Sequence, residues 1–138
     1  MATTPMLVFA YNHPSKKAAV YGEVDDQGVV TFAIQAASDS PVRGTELFRR
    51  MMLAFGADAK AIHGIWRKGN LPSINIDEVN KLTGQGLQLA EAVLRTWTVT
   101  RASKLGFVKV RIINQEGLPG SYRKIDVLIE KEGDPWRP

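Results

Sequence analysis

The chain has 138 residues, the size of one ordinary domain, and its 44% hydrophobic content is enough for a buried core and argues against disorder. It contains no cysteine, which excludes disulfides, thiolate nucleophiles and cysteine-based zinc sites. The formal net charge is +4, with the positive charge gathered in residues 43–70 (six Lys and Arg against two acids) and 95–124 (seven against one).

The N-terminus has a short apolar run, with no charged region before it and no cleavage-site pattern after it, so no signal peptide is expected. No stretch approaches the roughly eighteen apolar residues of a membrane span. The runs "MLVFAY" (6–11), "AAVYGEV" (18–24) and "VVTFAIQA" (29–36), separated by the turns "NHPS" and "DDQG", predict a β-meander. In the third run Val30, Phe32, Ile34 and Ala36 alternate onto the inner face. A loop at 38–44 leads to a helix over 45–55, with Leu47, Met51 and Ala54 on one face and Phe48, Met52 and Phe55 beside it. Met51 and Met52 read as core filling. After Gly56 the run "ADAKAIHGI" reads as a second helix, and "HGIWRKGN" as its exit. There Gly64, Gly69 and Asn70 turn the chain and Trp66 anchors it.

Asn75 followed by Glu78 has the spacing of a capping box, opening a helix that turns Val79 and Leu82 inward and ends near Gly84. "LQLAEAVLRTW" (87–97) predicts another, with Leu89, Ala92, Val93 and Trp97 in its apolar row, and "TVTRASKLG" a further helical turn or short helix closed by Gly106. The chain then returns to strands, "FVKVRII" (107–113) and "YRKIDVLIEK" (122–131), which read as an antiparallel hairpin. In the second, Arg123, Ile125, Val127 and Ile129 alternate with Tyr122, Lys124, Asp126, Leu128 and Glu130. The expected architecture is α+β: an N-terminal β-meander, central helices and a C-terminal antiparallel β-hairpin. Residues 1–138 read as a single domain, with 132–138 a tail.

Metal chemistry has little support. The two histidines, His13 and His63, are far apart in sequence, and Asp25–Asp26 reads as turn chemistry. Asp126, Glu130 and Lys124 loosely resemble a metal-nuclease arrangement, but in the wrong order. No G-x-S-x-G elbow is present. The remaining option is metal-independent cleavage of RNA, which needs an acid or base near neutral pH and cations on the phosphate. His63, Arg67, Arg101 and Tyr122 are the candidate catalytic residues. Lys68, Arg95, Lys104, Lys109, Arg111 and Lys124 are the candidate nucleic-acid-binding residues, and no cofactor is expected. Each has a plainer role open to it: His63 as a hydrogen-bonded structural histidine, Trp66 and Trp97 as packing, Arg101 and Lys104 as solvated surface.

Three stretches carry a family resemblance: "FGADAKAIHGIWRKGNLPSINIDEVNKLT", "AVLRTWTVTRASKLGF" and "GLPGSYRKIDVLIEK". Their skeleton falls on Ile62, Gly64, Trp66, Gly69 and Asn70, then Asn80, Leu82, Thr83 and Gly86. It continues at Thr96, Trp97, Thr98, Ala102, Gly106 and Phe107, and ends at Gly117, Pro119, Gly120 and Tyr122. Over residues 43–131 the chain resembles the C-terminal toxin domains of bacterial polymorphic toxins of the Rhs and filamentous-haemagglutinin type. The resemblance implies delivery into the cytosol of a rival cell, an attack on nucleic acid or another essential target, and a cognate immunity protein as partner. It transfers no catalytic set. The chain begins with its own Met and meander, so an excised domain and a stand-alone relative both stay open. So do two other activities. One is a cofactor-dependent transferase, for which Tyr122 and Glu130 are the residues to watch. The other is a binding module for nucleic acid or protein without turnover.

Overall fold

A computed structural model describes residues 5–69 and 74–132. The chain gathers into two compact units, residues 1–62 and 63–138. The architecture is α+β with the expected meander, central helices and closing hairpin, and its strands form both antiparallel and parallel pairs.

In the first unit β1 (Pro5–Asn12), β2 (Ala18–Asp25) and β3 (Val29–Ala36) form the antiparallel meander. Asp25 builds the second turn: its Oδ1 accepts from the N–H groups of Gln27 (2.8 Å) and Val29 (2.9 Å). Helix α1 (Gly44–Phe55) covers the inner row. It buries Leu47, Phe48, Met51, Met52 and Phe55, so both methionines are core residues. Ala54, expected on that face, is exposed, because it falls outside the stripe that those five residues trace. A Cβ on Gly22 would stand 2.3 Å from the Met51 sulfur, so the bare glycine makes room for that side chain.

The chain passes through a 3₁₀ turn at Gly56–Asp58 into a strand, β4 (Ala61–Arg67), where a helix and its exit turn were predicted. Val29 and Val30 of β3 run parallel beside Ala61 and Ile62. The pattern in 61–67 has period two: Ile62, Gly64 and Trp66 are buried, while His63, Ile65 and Arg67 are less so. Asn70, assigned to the turn, lies outside the described residues.

In the second unit the strand order is β4, then β6 (Lys124–Lys131), then β5 (Phe107–Glu116), with β5 and β6 antiparallel. Ile125, Val127 and Ile129 of β6 are fully buried, as the alternation predicts. Helices α2 (Ile74–Gly84), α3 (Leu89–Leu94) and α4 (Trp97–Ser103) supply Ile76, Val79, Ala92, Val93, Val99 and Ala102 to the same core. The capping box is not used: Asn75 lies inside α2, and its side chain serves α4. Asn75 Nδ2 donates to Thr98 Oγ1 (2.8 Å), and Asn75 Oδ1 accepts from the Thr98 N–H (3.1 Å). It thereby satisfies one of the orphan donors in the first turn of α4 from across the core. The helix predicted over 87–97 is shorter, ending at Leu94, and the helical turn expected after it is α4, which begins at Trp97. Arg95 and Thr96 leave the α3 path, and Thr96 Oγ1 turns back to donate to the Val93 carbonyl (2.7 Å).

Gly64 sits in a slot. An added Cβ would meet Trp66 Nε1 at 2.7 Å and Val127 Cγ2 at 2.9 Å. Gly64→Ala is expected to cost about 1–3 kcal/mol through this overpacking, read from the urea midpoint. A second expectation concerns α1. Hydrogen bonds from Arg49 and then Arg50 hold the Glu46 carboxyl down from 4.5 to about 2. A depressed carboxyl stabilises the fold above its ordinary titration range and loses that contribution as pH falls towards 2. Glu46→Gln should therefore melt slightly below wild type at neutral pH, and the gap should close on acidification through that window. The pair is exposed, so the difference is small.

Candidate active site

Two neighbouring strands of the second unit place the polar groups. The alternation in β4 that buries Ile62, Gly64 and Trp66 turns His63, Ile65 and Arg67 to the opposite face. In β6 the buried row of Ile125, Val127 and Ile129 leaves Lys124, Asp126, Leu128 and Glu130 on that same opposite face. His63 Nε2 lies 4.0 Å from Asp126 Oδ1, and the Lys124 ammonium lies 3.5 Å from Asp126 Oδ2. The Asp126 side chain is 12% exposed and that of His63 28%. Both His63 Nε2 and Asp126 Oδ1 are buried without a hydrogen-bond partner.

Strand β5 adds to this face. Lys109 stands opposite Glu130, Arg111 opposite Leu128, Asn114 opposite Asp126 and Glu116 opposite Lys124. Arg111 Nε also donates to Glu130 (3.2 Å). Lys68, just past β4, pairs with Asp77 (3.1 Å). The strands thus place His63, Arg67, Lys109, Arg111 and Lys124 of the predicted set on one face, spread along its length, and set Asp126 beside His63.

The other predicted residues sit on helices or on the hairpin connection. Arg101 lies over the Trp97 ring (4.8 Å) and donates to Thr100 Oγ1 (2.9 Å), both contacts within α4. Arg95 follows α3 and Lys104 follows α4, each as its C-cap and each exposed. Tyr122 is buried, and its main chain is clamped by α2. Asn80 Oδ1 accepts from the Tyr122 N–H (2.7 Å), and Asn80 Nδ2 donates to the Tyr122 carbonyl (3.0 Å). Thr83 Oγ1 accepts from the Gly120 N–H (2.8 Å) and donates to the Val79 carbonyl (2.8 Å). Gly117, at φ +114, has the Tyr122 Cα only 2.8 Å from where a Cβ would stand, so this turn requires glycine.

The charge is uneven between the units. Residues 1–62 hold six Lys and Arg against six acids, and residues 63–138 hold twelve against eight, so the whole excess lies in the second. No group of three His, Asp or Glu side chains suited to a metal ion occurs among the described residues, and none of their helices is long and apolar enough to cross a membrane.

Asp126 is the residue whose partner was missed. Its signal was present in two places, the alternation of 122–131 and that of 61–67, but reading the second as helix hid the pairing of His63 with Asp126. No family model, curated protein or solved structure matches the chain.

The clamp on Tyr122 gives a direct test. Asn80→Ala removes both hydrogen bonds and leaves the Tyr122 N–H unpaired. A loss of about 1–3 kcal/mol is expected, seen as a lower urea midpoint at unchanged slope.

Proposed function

We propose that the chain is an effector domain of the polymorphic-toxin type that cleaves RNA without a metal ion, using the β4–β6–β5 face of its second unit. The observation that carries the reading is the His63–Asp126 pair: an imidazole and a carboxylate on adjacent strands, with buried, unpartnered atoms facing each other at 4.0 Å. Cations on the same face add support, as does the excess positive charge of the unit, which favours a polyanionic ligand.

In this mechanism His63 takes the proton from a ribose 2′-hydroxyl. The 2′ oxygen attacks phosphorus, the O2′–P bond forms and the P–O5′ bond breaks. The leaving 5′ oxygen takes a proton from water, and the products are a 2′,3′-cyclic phosphate and a 5′-hydroxyl end. Arg111 offsets the charge that gathers on the phosphoryl oxygens, and Arg67 and Lys109, further along the face in opposite directions, meet flanking phosphates. Arg101 and Tyr122, with contacts inside α4 and to α2, serve as supports. Lys68, Arg95 and Lys104 extend the basic surface for flanking phosphates. In the setting implied by the resemblance, the substrate is RNA in another cell's cytosol, and an inhibitor protein protects the producer.

The test is incubation of total RNA and plasmid DNA with the protein, in EDTA and in magnesium, beside His63→Ala. Cleavage of RNA alone is expected, surviving EDTA, leaving cyclic phosphate ends, and falling by about 10²–10⁴-fold in the variant. Binding to RNA that weakens with salt but gives no product would overturn the enzymatic reading in favour of a binding module.

A further inference from the structure

A buried donor or acceptor with no partner is costly, and here two of them face each other. At 4.0 Å, His63 Nε2 and Asp126 Oδ1 are too far apart for a hydrogen bond, yet a small rotation of either side chain closes the gap. The other carboxylate oxygen, Oδ2, already faces the Lys124 ammonium at 3.5 Å. The β5 residue opposite Asp126 is the neutral Asn114, and Glu130, the other β6 carboxylate on this face, is paired with Arg111, so Asp126 is the carboxylate the ring meets. An ionised carboxylate only accepts, so the ring nitrogen that meets it has to carry a hydrogen.

We propose that Asp126 is the positioning residue for His63. It holds Nε2 protonated and turned to the strand, and leaves Nδ1 unprotonated as the atom that takes the substrate proton. Asp126 touches neither substrate nor phosphate, and it acts through the ring alone. Its part in catalysis rests on the function proposed above, but its hold on the tautomer does not.

Lys124 makes the proposal testable. In Asp126→Asn the amide has one oxygen and one NH₂ group where the carboxylate had two oxygens. The Lys124 ammonium can only donate, so it draws the amide oxygen to its own side. The NH₂ group then faces His63 and needs a lone pair on Nε2, which moves the ring proton to Nδ1. The tautomer is therefore expected to reverse.

The experiment is ring ¹⁵N spectroscopy of the full-length labelled protein. With only two histidines in the chain, His63 is assigned by the signal lost in His63→Ala. Wild type should carry its neutral proton on Nε2 and Asp126→Asn on Nδ1, with circular dichroism unchanged. RNA cleavage in Asp126→Asn should fall in kcat by on the order of 10²–10⁴-fold with KM little changed. Asp126→Glu, which keeps the acceptor, should retain the wild-type tautomer and recover part of the rate. The same tautomer in wild type and Asp126→Asn overturns the proposal. So does full activity of Asp126→Asn when His63→Ala is dead. A reversed tautomer with no RNA cleavage by any form upholds the positioning role and removes the nuclease reading.

Discussion

The Asn80 carboxamide holds the second unit's closing hairpin in place. It is both donor and acceptor to one residue, Tyr122, at the point where the chain enters its last strand. Thr83, one turn further along α2, fixes Gly120 in the same connection. The two ties matter because side chains alternate along a strand. A slip of one residue in β6 would carry Ile125, Val127 and Ile129 out of the core and drive Lys124 and Asp126 into it. Burying two ionised groups among apolar side chains is far costlier than the slip itself, so hydrophobic burial and the clamp select the same register. That register sets Asp126 beside His63.

Much of the fold is legible because its signals are local. The meander follows from alternation and from a turn that Asp25 builds with its own carboxylate. Helix α1 follows from its stripe of Leu47, Phe48, Met51, Met52 and Phe55, and β6 from its isoleucine–valine row. Two of the failures share one cause, a tertiary partner, and a third is local. Gly64 weakens a strand pattern, yet here it is the residue that fits, because the Trp66 indole and Val127 fill the space a side chain would take. Asn75 and Glu78 have the spacing of a cap, but the Asn75 amide finds the start of α4 instead of its own helix. Thr96 marks the early end of the helix expected over 87–97, bonding back to the Val93 carbonyl three residues before it. The candidate site was less legible, because the strand that aligns His63 with Asp126 was read as helix.

The ion pairs described in the second unit fall into two physical groups. Lys68–Asp77 and Arg111–Glu130 are pairs with side chains more than half exposed on the basic partner. Such pairs contribute little to stability, so a phosphate can replace the carboxylate at small cost. Lys124–Asp126 is different, because both side chains are largely covered and the other carboxylate oxygen lies 4.0 Å from an imidazole nitrogen. Taking either partner away would leave a covered charge without compensation. The exposed pairs suit a ligand that comes and goes, and the covered pair suits a fixed geometry.

The skeleton residues behind the toxin resemblance are mostly structural. Ile62, Gly64 and Trp66 seal the core from β4, Asn80 and Thr83 clamp the hairpin connection, and Gly117 and Gly120 shape it. A likeness carried by such residues speaks to how the chain folds before it speaks to chemistry. The proposed chemistry lies on the alternate positions. Along β4, core and candidate site take turns residue by residue, with His63 between Ile62 and Gly64 and Arg67 directly after Trp66. Period two separates the two demands, because substitutions at His63 or Arg67 leave the sealed row untouched. A strand built this way can keep its scaffold constant while the residues on its other face change what the domain does.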